Sequence, residues 1–174
     1  MIERRALLKA GVALTALAAL NEFGNPGAMA APMTTTNDTT IDFKKLSDAE
    51  WHKRLNTEQY YVLRKQGTER AGTSPLNKEK RTGTFACAGC DLPLFDSATK
   101  FESGTGWPSF YQPLPGAVGE TSDRSFFMTR TEVHCIRCEG HLGHVFNDGP
   151  KPTGLRYCMN GVAMKFEPSA GSSS

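Results

Sequence analysis

A chain of 174 residues with a formal charge of +2, 20 basic side chains against 18 acidic, lacks the charge excess needed to hold nucleic acid or an anionic membrane surface. Its hydrophobic share is a modest 39%, and 17 glycines with 10 prolines argue against a helical bundle and for a turn-rich β protein. Its length suits a single domain with a core of its own.

Residues 1–30 read as a cleavable targeting segment. Glu3-Arg4-Arg5-Ala6-Leu7-Leu8-Lys9 is a charged start, an Ala- and Leu-rich stretch runs from Ala10 to Leu20, and Ala28-Met29-Ala30 supplies a small-x-small cleavage signal before Ala31. The apolar stretch is short for a membrane span and ends in polar, Gly- and Pro-containing sequence, so cleavage is expected and no membrane contact after it. The twin arginine, with Leu-Leu-Lys behind it, favours the twin-arginine route over general secretion, and hence a periplasmic location. Cleavage removes Arg4, Arg5 and Lys9 together with Glu3 and Glu22, so the charge balance stays near neutral.

Residues 31–46, rich in Thr and Asn at first, read as a flexible lead-in to a domain over 47–168. Ser47-Asp48-Ala49-Glu50 is a capping box, predicting a helix that carries Trp51 and Leu55. A second cap at Thr57-Glu58-Gln59 precedes Tyr60, Leu63 and Arg64 at helical spacing, with Gly67 as the stop. Beyond Thr68 short apolar runs alternate with turn residues: Thr84-Phe85, Leu94-Phe95, Ser125-Phe126-Phe127-Met128, Thr131-Glu132-Val133, Val145-Phe146 and Val162-Ala163-Met164. These predict strands, and the fold class is all-β: two antiparallel sheets, tent- or barrel-like, with short N-terminal helices and a structural Zn site. Residues 169–174 read as a disordered tail.

Five cysteines divide into two Cys-x-x-Cys pairs, Cys87/Cys90 and Cys135/Cys138, and one left over, Cys158, downstream of His141-Leu142-Gly143-His144. Four thiols in paired form suit one tetrahedral Zn²⁺, each knuckle delivering two thiolates, with Gly89 available where a knuckle needs positive φ. Two disulfides are the competing reading, since the expected compartment is oxidising. Cys-x-x-Cys disulfides tend to be redox-active, however, and two in one small domain are unusual. With four ligands the site has no open position and serves structure. Cys158 is then a free thiol near imidazoles.

Five segments in order carry a resemblance: Gly67-Thr68-Glu69-Arg70, Cys87-Ala88-Gly89-Cys90, Ser103-Gly104-Thr105-Gly106-Trp107-Pro108-Ser109-Phe110, His141-Leu142-Gly143-His144-Val145-Phe146 and Arg156-Tyr157-Cys158-Met159-Asn160. Together they resemble the B-type methionine sulfoxide reductases, over roughly Ser47 to Phe166. The resemblance implies reduction of protein-bound methionine R-sulfoxide. The chemistry fits: a thiolate at Cys158 attacks the sulfoxide sulfur and becomes a sulfenic acid, while a histidine supplies a proton to the departing oxygen. The resemblance assigns proton work to His144, with His141 close by. Asn160, two residues beyond the nucleophile, shares its face on a strand and can orient water or the sulfoxide oxygen. The resemblance further implies that Trp107 packs on the substrate S-methyl group, with Phe110 nearby. Phe110 reads equally as a core aromatic. Thr68 and Glu69 either support substrate binding or end a helix. His52 and His134 read as structural, and Asp148 as a turn residue with Gly149 and Pro150, or as a histidine's orienting partner.

One departure bears on mechanism. Many members of the family carry a resolving cysteine where this chain has Thr105, and threonine cannot form a disulfide. No other thiol remains, so a thioredoxin-like protein or small thiol must reduce Cys158 from outside. Met159 and Gly161 also differ from the aliphatic and serine residues expected beside the nucleophile. The chain is expected to act as a monomer, without nucleic acid. Two other classes compete: a zinc-knuckle binding module, which would keep its function in Cys158→Ser, and a cysteine hydrolase pairing Cys158 with His144, which lacks a nucleophile elbow.

Overall fold

The computed structural model describes residues 41–124 and 129–170. The expected targeting segment, residues 31–40 of the lead-in, the strand expected at Ser125-Phe126-Phe127-Met128 and residues 171–174 lie outside the described residues.

Helix α1 (Asp48–Arg54) starts at the capping box read from sequence: Ser47 accepts from the Glu50 backbone while Glu50 reaches back. Helix α2 (Thr57–Lys65) is capped one residue earlier than expected, by Asn56 with Gln59 as its reciprocal partner. Its stop also differs. Gln66 takes the left-handed turn (φ 54°), and Gly67 N–H closes on Tyr61 C=O. The lead-in is not loose up to 46: Phe43–Lys45 form a 3-10 turn, Phe43 packs at 6.3 Å from Trp51, and Lys44 pairs with Glu139.

The strands among the described residues are β1 (Gly83–Cys87), β2 (Pro93–Asp96), β3 (Lys100–Phe101), β4 (Ser109–Phe110), β5 (Val118–Asp123), β6 (Arg130–Cys135), β7 (His141–Phe146), β8 (Arg156–Met159) and β9 (Met164–Pro168). They form two antiparallel sheets, ordered β2-β1-β9 and β3-β4-β8-β7-β6-β5. The all-β class with two sheets and short N-terminal helices thus holds. The strand expected at Val162–Met164 begins later. Gly161–Ala163 curl into a 3-10 turn because the Glu69 carboxylate accepts from the Gly161 and Val162 backbone N–H groups, and β9 starts at Met164.

Aromatic rings join the sheets. Phe110 of β4 stacks on Phe95 of β2 at 4.3 Å and meets Phe85 of β1 edge-on at 4.9 Å, and such contacts add roughly 0.5–1.5 kcal/mol each beyond burial. The helices lie on the cysteine end of the molecule. Trp51 and Leu63 are buried, and a Cβ at Gly89 would come within 3.3 Å of Trp51, one at Gly140 within 2.8 Å of Leu63. Glycine lets both knuckles sit under the helices.

Candidate active site

Four of the five thiols converge. Cys87 and Cys90 flank the β1–β2 turn, Cys135 and Cys138 the β6–β7 turn, and all four sulfurs lie within 4.8 Å of one another. Each residue is at most 2% exposed. The closest approaches run between knuckles, Cys87 to Cys138 at 3.7 Å and Cys90 to Cys135 at 3.5 Å. Sulfurs at the corners of a tetrahedron around Zn²⁺ sit about 3.8 Å apart for Zn–S bonds near 2.3 Å. The donors therefore fit one zinc ion, while disulfides within each pair do not account for the cross-knuckle closeness. Contacts among the sulfurs, that with Cys135 first, push the Cys87 and Cys138 thiols up. Arg137 donates to Cys90 C=O and Arg64 to Cys138 C=O, both at 2.9 Å. The positive φ that closes each knuckle falls on Asp91 (61°) and Glu139 (57°), not on glycine as expected.

Cys158 stands apart. It is half-buried in β8, opposite Ser109 of β4 on one side and His144 of β7 on the other. It opens on a cavity of about 130 Å³ lined by Thr68, Trp107, Arg130, Gly143, His144, Phe146, Cys158 and Asn160. A neighbouring polar cavity of about 490 Å³ reaches His141, His144, Asp123 and Glu132, and Thr68 borders both. A larger cavity, about 670 Å³ and also bordered by Thr68, holds neither thiol nor imidazole, so size does not mark the chemistry.

Residues three apart on a regular strand face opposite ways. A register shift between Val133 and His134 breaks that alternation, and the His141 and His144 rings come to 5.4 Å, edge to face. His141 Nδ1 meets Glu132 Oε1 at 2.7 Å, while its buried Nε2 has no protein partner. Burial pushes His141 below the usual histidine pKa, against the pull of Glu132. Its ring is thus neutral at pH 7, donating to Glu132 from Nδ1 and leaving an Nε2 lone pair. His144 Nε2 meets Asp123 Oδ2 at 2.8 Å, and Arg130 holds the same oxygen at 2.7 Å, which leaves Nδ1 for the cleft.

Arg156, on the strand of Cys158, forms a two-pronged pair with Asp148, both bonds 2.8 Å, and lies 4.4 Å over the Phe146 ring. Asp148, first of all, raises the guanidinium's pKa, and the Cys158 sulfur adds to this. Asp148 thus orients an arginine, not a histidine.

Trp107 lines the cavity, its Nε1 donating to Glu69 C=O at 3.1 Å. Gly106 beside it has φ 92°, and a Cβ there would lie 3.0 Å from the Gly72 backbone, so only glycine brings this loop so close. Asn160 follows the end of β8 instead of lying on it, and its amide is held at both ends: Oδ1 accepts from Glu69 N–H at 3.0 Å and Nδ2 donates to Leu142 C=O at 3.0 Å. It borders the cavity with one N–H and one lone pair to spare.

Two expected pocket residues lie elsewhere. Phe110 has no exposed surface and belongs to the aromatic core, its ring sandwiched between the sheets. Glu69 does not face the Cys158 cavity. Its carboxylate binds the 161–162 turn, with burial raising its pKa, while its backbone grips Asn160 and Trp107. His52 is exposed and stacked on Tyr60 at 3.7 Å, and His134 packs on Gly119.

Asp123, Glu132, Arg130 and Arg156 receive no site role from the sequence alone. Only Arg156 left a signal, two residues before Cys158 and so on the same strand side. The other three depend on β5–β6–β7 register.

The SelR domain family model matches residues 55–168. A peptide methionine sulfoxide reductase MsrB of Pseudomonas putida (strain W619) is 59% identical over 123 residues, 70% of this chain and 92% of that protein. Another of the same name from Agrobacterium fabrum is 53% identical over 133 residues, 76% of this chain and 98% of that protein. One from Leptospira interrogans is 57% identical over 122 residues, 70% and 93% of the two chains. With a closed four-thiol zinc site at one end and a lone thiol against His144 at the other, the chain belongs to the SelR-domain family, the B-type methionine sulfoxide reductases.

Proposed function

We propose that this enzyme reduces the R epimer of methionine sulfoxide in proteins and peptides through Cys158, and that an external thiol returns the enzyme to its starting state. One observation carries the reading: Cys158 is the only thiol outside the four-sulfur cluster, and it lies directly across from His144. Cys158 Sγ attacks the sulfoxide sulfur, with Arg156 and His144 beside it. The oxygen leaves the methionine sulfur and ends on Cys158 as a sulfenic acid. Methionine sulfur gains the electron pair that the cysteine sulfur loses. His144, held by Asp123 through Nε2, is placed to hand a proton to the departing oxygen from Nδ1. Trp107 offers the substrate methyl group an apolar wall. Cys87, Cys90, Cys135 and Cys138 would hold a zinc ion that ties two hairpins together and, with four ligands, would keep no position open for substrate.

Thr105 stands 3.8 Å from Cys158 Sγ, where a second thiol would otherwise close a disulfide. The sulfenic acid therefore needs an incoming thiol: one forms a mixed disulfide and releases water, a second restores Cys158. A thioredoxin-like protein or a small thiol fits this role, and one chain holds the whole site. Export through the twin-arginine signal of residues 1–30 would place the repair in the periplasm, and fractionation of cells carrying Arg4→Lys with Arg5→Lys tests that placement.

The test of the chemistry is a single turnover on peptides carrying each sulfoxide epimer, without reductant. One equivalent of methionine from the R epimer and the loss of one titratable thiol, with no disulfide inside the chain, are the expected result. A disulfide between Cys158 and a cluster cysteine, or equal use of both epimers, overturns the reading.

A further inference from the structure

Thr105 does more than stand in a vacant place. Its hydroxyl belongs to a connected run: Thr105 Oγ1 to Ser103 Oγ at 2.8 Å, Ser103 Oγ to Ser109 Oγ at 2.7 Å, and Ser109 Oγ to Trp107 C=O at 3.2 Å. The near end of the run touches Cys158 Sγ at 3.8 Å. Ser109 is 1% exposed and pairs with Cys158 across the β4–β8 ladder, so the run is anchored to the same two strands as the nucleophile.

The far end fixes the direction of every proton. A carbonyl can only accept, so Ser109 donates to Trp107 C=O. Ser109 then accepts from Ser103, and Ser103 accepts from Thr105. The Thr105 proton is thereby spent, and its oxygen presents a lone pair to Cys158. In the starting state that lone pair lies toward Cys158 Sγ. In the oxidised state an oxygen sits on Sγ, and 3.8 Å between Sγ and Thr105 Oγ1 leaves room for it on a bent path. The sulfenic O–H then has an acceptor ready in place.

We propose that Thr105, held by Ser103 and Ser109, keeps the sulfenic acid of Cys158 in a hydrogen-bonded, waiting form until an external thiol arrives. This rests on the sulfenic reading above and deepens it. Without a resolving thiol the oxidised sulfur must wait for a partner, and during the wait it is open to further oxidation to the irreversible sulfinic acid. A hydrogen bond from the sulfenic O–H to Thr105 fixes the oxygen's orientation and protects that interval. His144 of β7 and Arg130 of β6 face Cys158 from other strands and Arg156 lies two residues along its own strand, with Asp123 and Asp148 behind them, and none of these groups changes in the substitutions below.

The experiment uses the full zinc-loaded chain and its Thr105→Val, Thr105→Ser and Ser103→Ala forms. Each receives one equivalent of a methionine sulfoxide peptide without reductant, is then exposed to dilute hydrogen peroxide, and is sampled over time by dimedone trapping and intact mass. The sulfenic acid of the unsubstituted chain and of Thr105→Ser should persist alike, and that of Thr105→Val should be lost to sulfinic acid about fivefold faster, the factor that one neutral hydrogen bond corresponds to. Ser103→Ala should fall between them. Zinc content read on each sample shows that the fold is kept. Equal lifetimes in the unsubstituted chain and Thr105→Val overturn the role of Thr105 while leaving the sulfenic reading intact. Loss of the thiol with no dimedone adduct in the unsubstituted chain overturns both.

Discussion

The two ends of this molecule use the same side chain for opposite purposes. At the cluster end four cysteines are buried, crowded and closed beneath Trp51 and Leu63. At the other, Cys158 is alone, half-buried and flanked by His144, Arg156 and Thr105. The chemistry of a thiol here is set by its company. Four sulfurs in contact share a cation and lose reactivity, whereas one sulfur beside ionisable donors keeps it. A single hairpin spans both ends: β6 and β7 carry Cys135 and Cys138 at their turn and Glu132, His141 and His144 along their length. A metal held at that turn would thus sit on the same hairpin that seats the histidines.

The sharpest way to break the comparison is to change one sulfur at each end. Cys138→Ser should lose its zinc, and with it on the order of 10 kcal/mol of apparent folding energy, so both ends fail together. Far-UV circular dichroism and zinc content measure that. Cys158→Ser should abolish turnover while keeping zinc and a stability within about 0.5 kcal/mol of the parent. If the two variants behave alike in melting, the division between ends is wrong.

A smaller effect tests the support of the active end. Asp123→Asn leaves the backbone unchanged but removes the charge that His144 Nε2 and Arg130 share. The rate at saturating substrate should fall by about 10²-fold, in the range for loss of acid–base assistance, with KM little changed. A fall in stability with no fall in rate would make Asp123 a packing residue.

The smallest effect is a pH dependence. His141 has its pKa held below 6.5 by burial, so the unfolded chain takes up a proton at a pH where the folded chain does not. Stability is therefore lost as pH falls below 6.5, and the loss levels off once the folded pKa is passed. Melting temperatures from pH 7.5 to 5 should drop more steeply for the parent than for His141→Gln. Parallel curves would show that His141 contributes nothing to the pH response.

Sequence made the cluster end far more legible than the active end. The Cys-x-x-Cys pairs and the capping boxes are local patterns, so their residues could be named in advance. The shell around Cys158 is assembled from distant parts. Glu69 reaches Gly161 across 92 positions and thereby turns an expected strand into a 3-10 turn. Asp123 and Glu132 meet the histidines only because β5, β6 and β7 align in one register with a break at Val133, and no spacing rule reveals that break. Phe110 was ambiguous for a related reason: an aromatic after a Trp-Pro-Ser turn suits core and pocket alike until the facing sheet is known.

The most direct measurement is native mass spectrometry of the zinc-loaded chain before and after one turnover with an R-sulfoxide peptide and dimedone, followed by mapping of the labelled residue. Retention of one zinc ion with a single adduct on Cys158 is the outcome this account predicts. Zinc released in step with methionine formation, or label on any of Cys87, Cys90, Cys135 and Cys138, would contradict it.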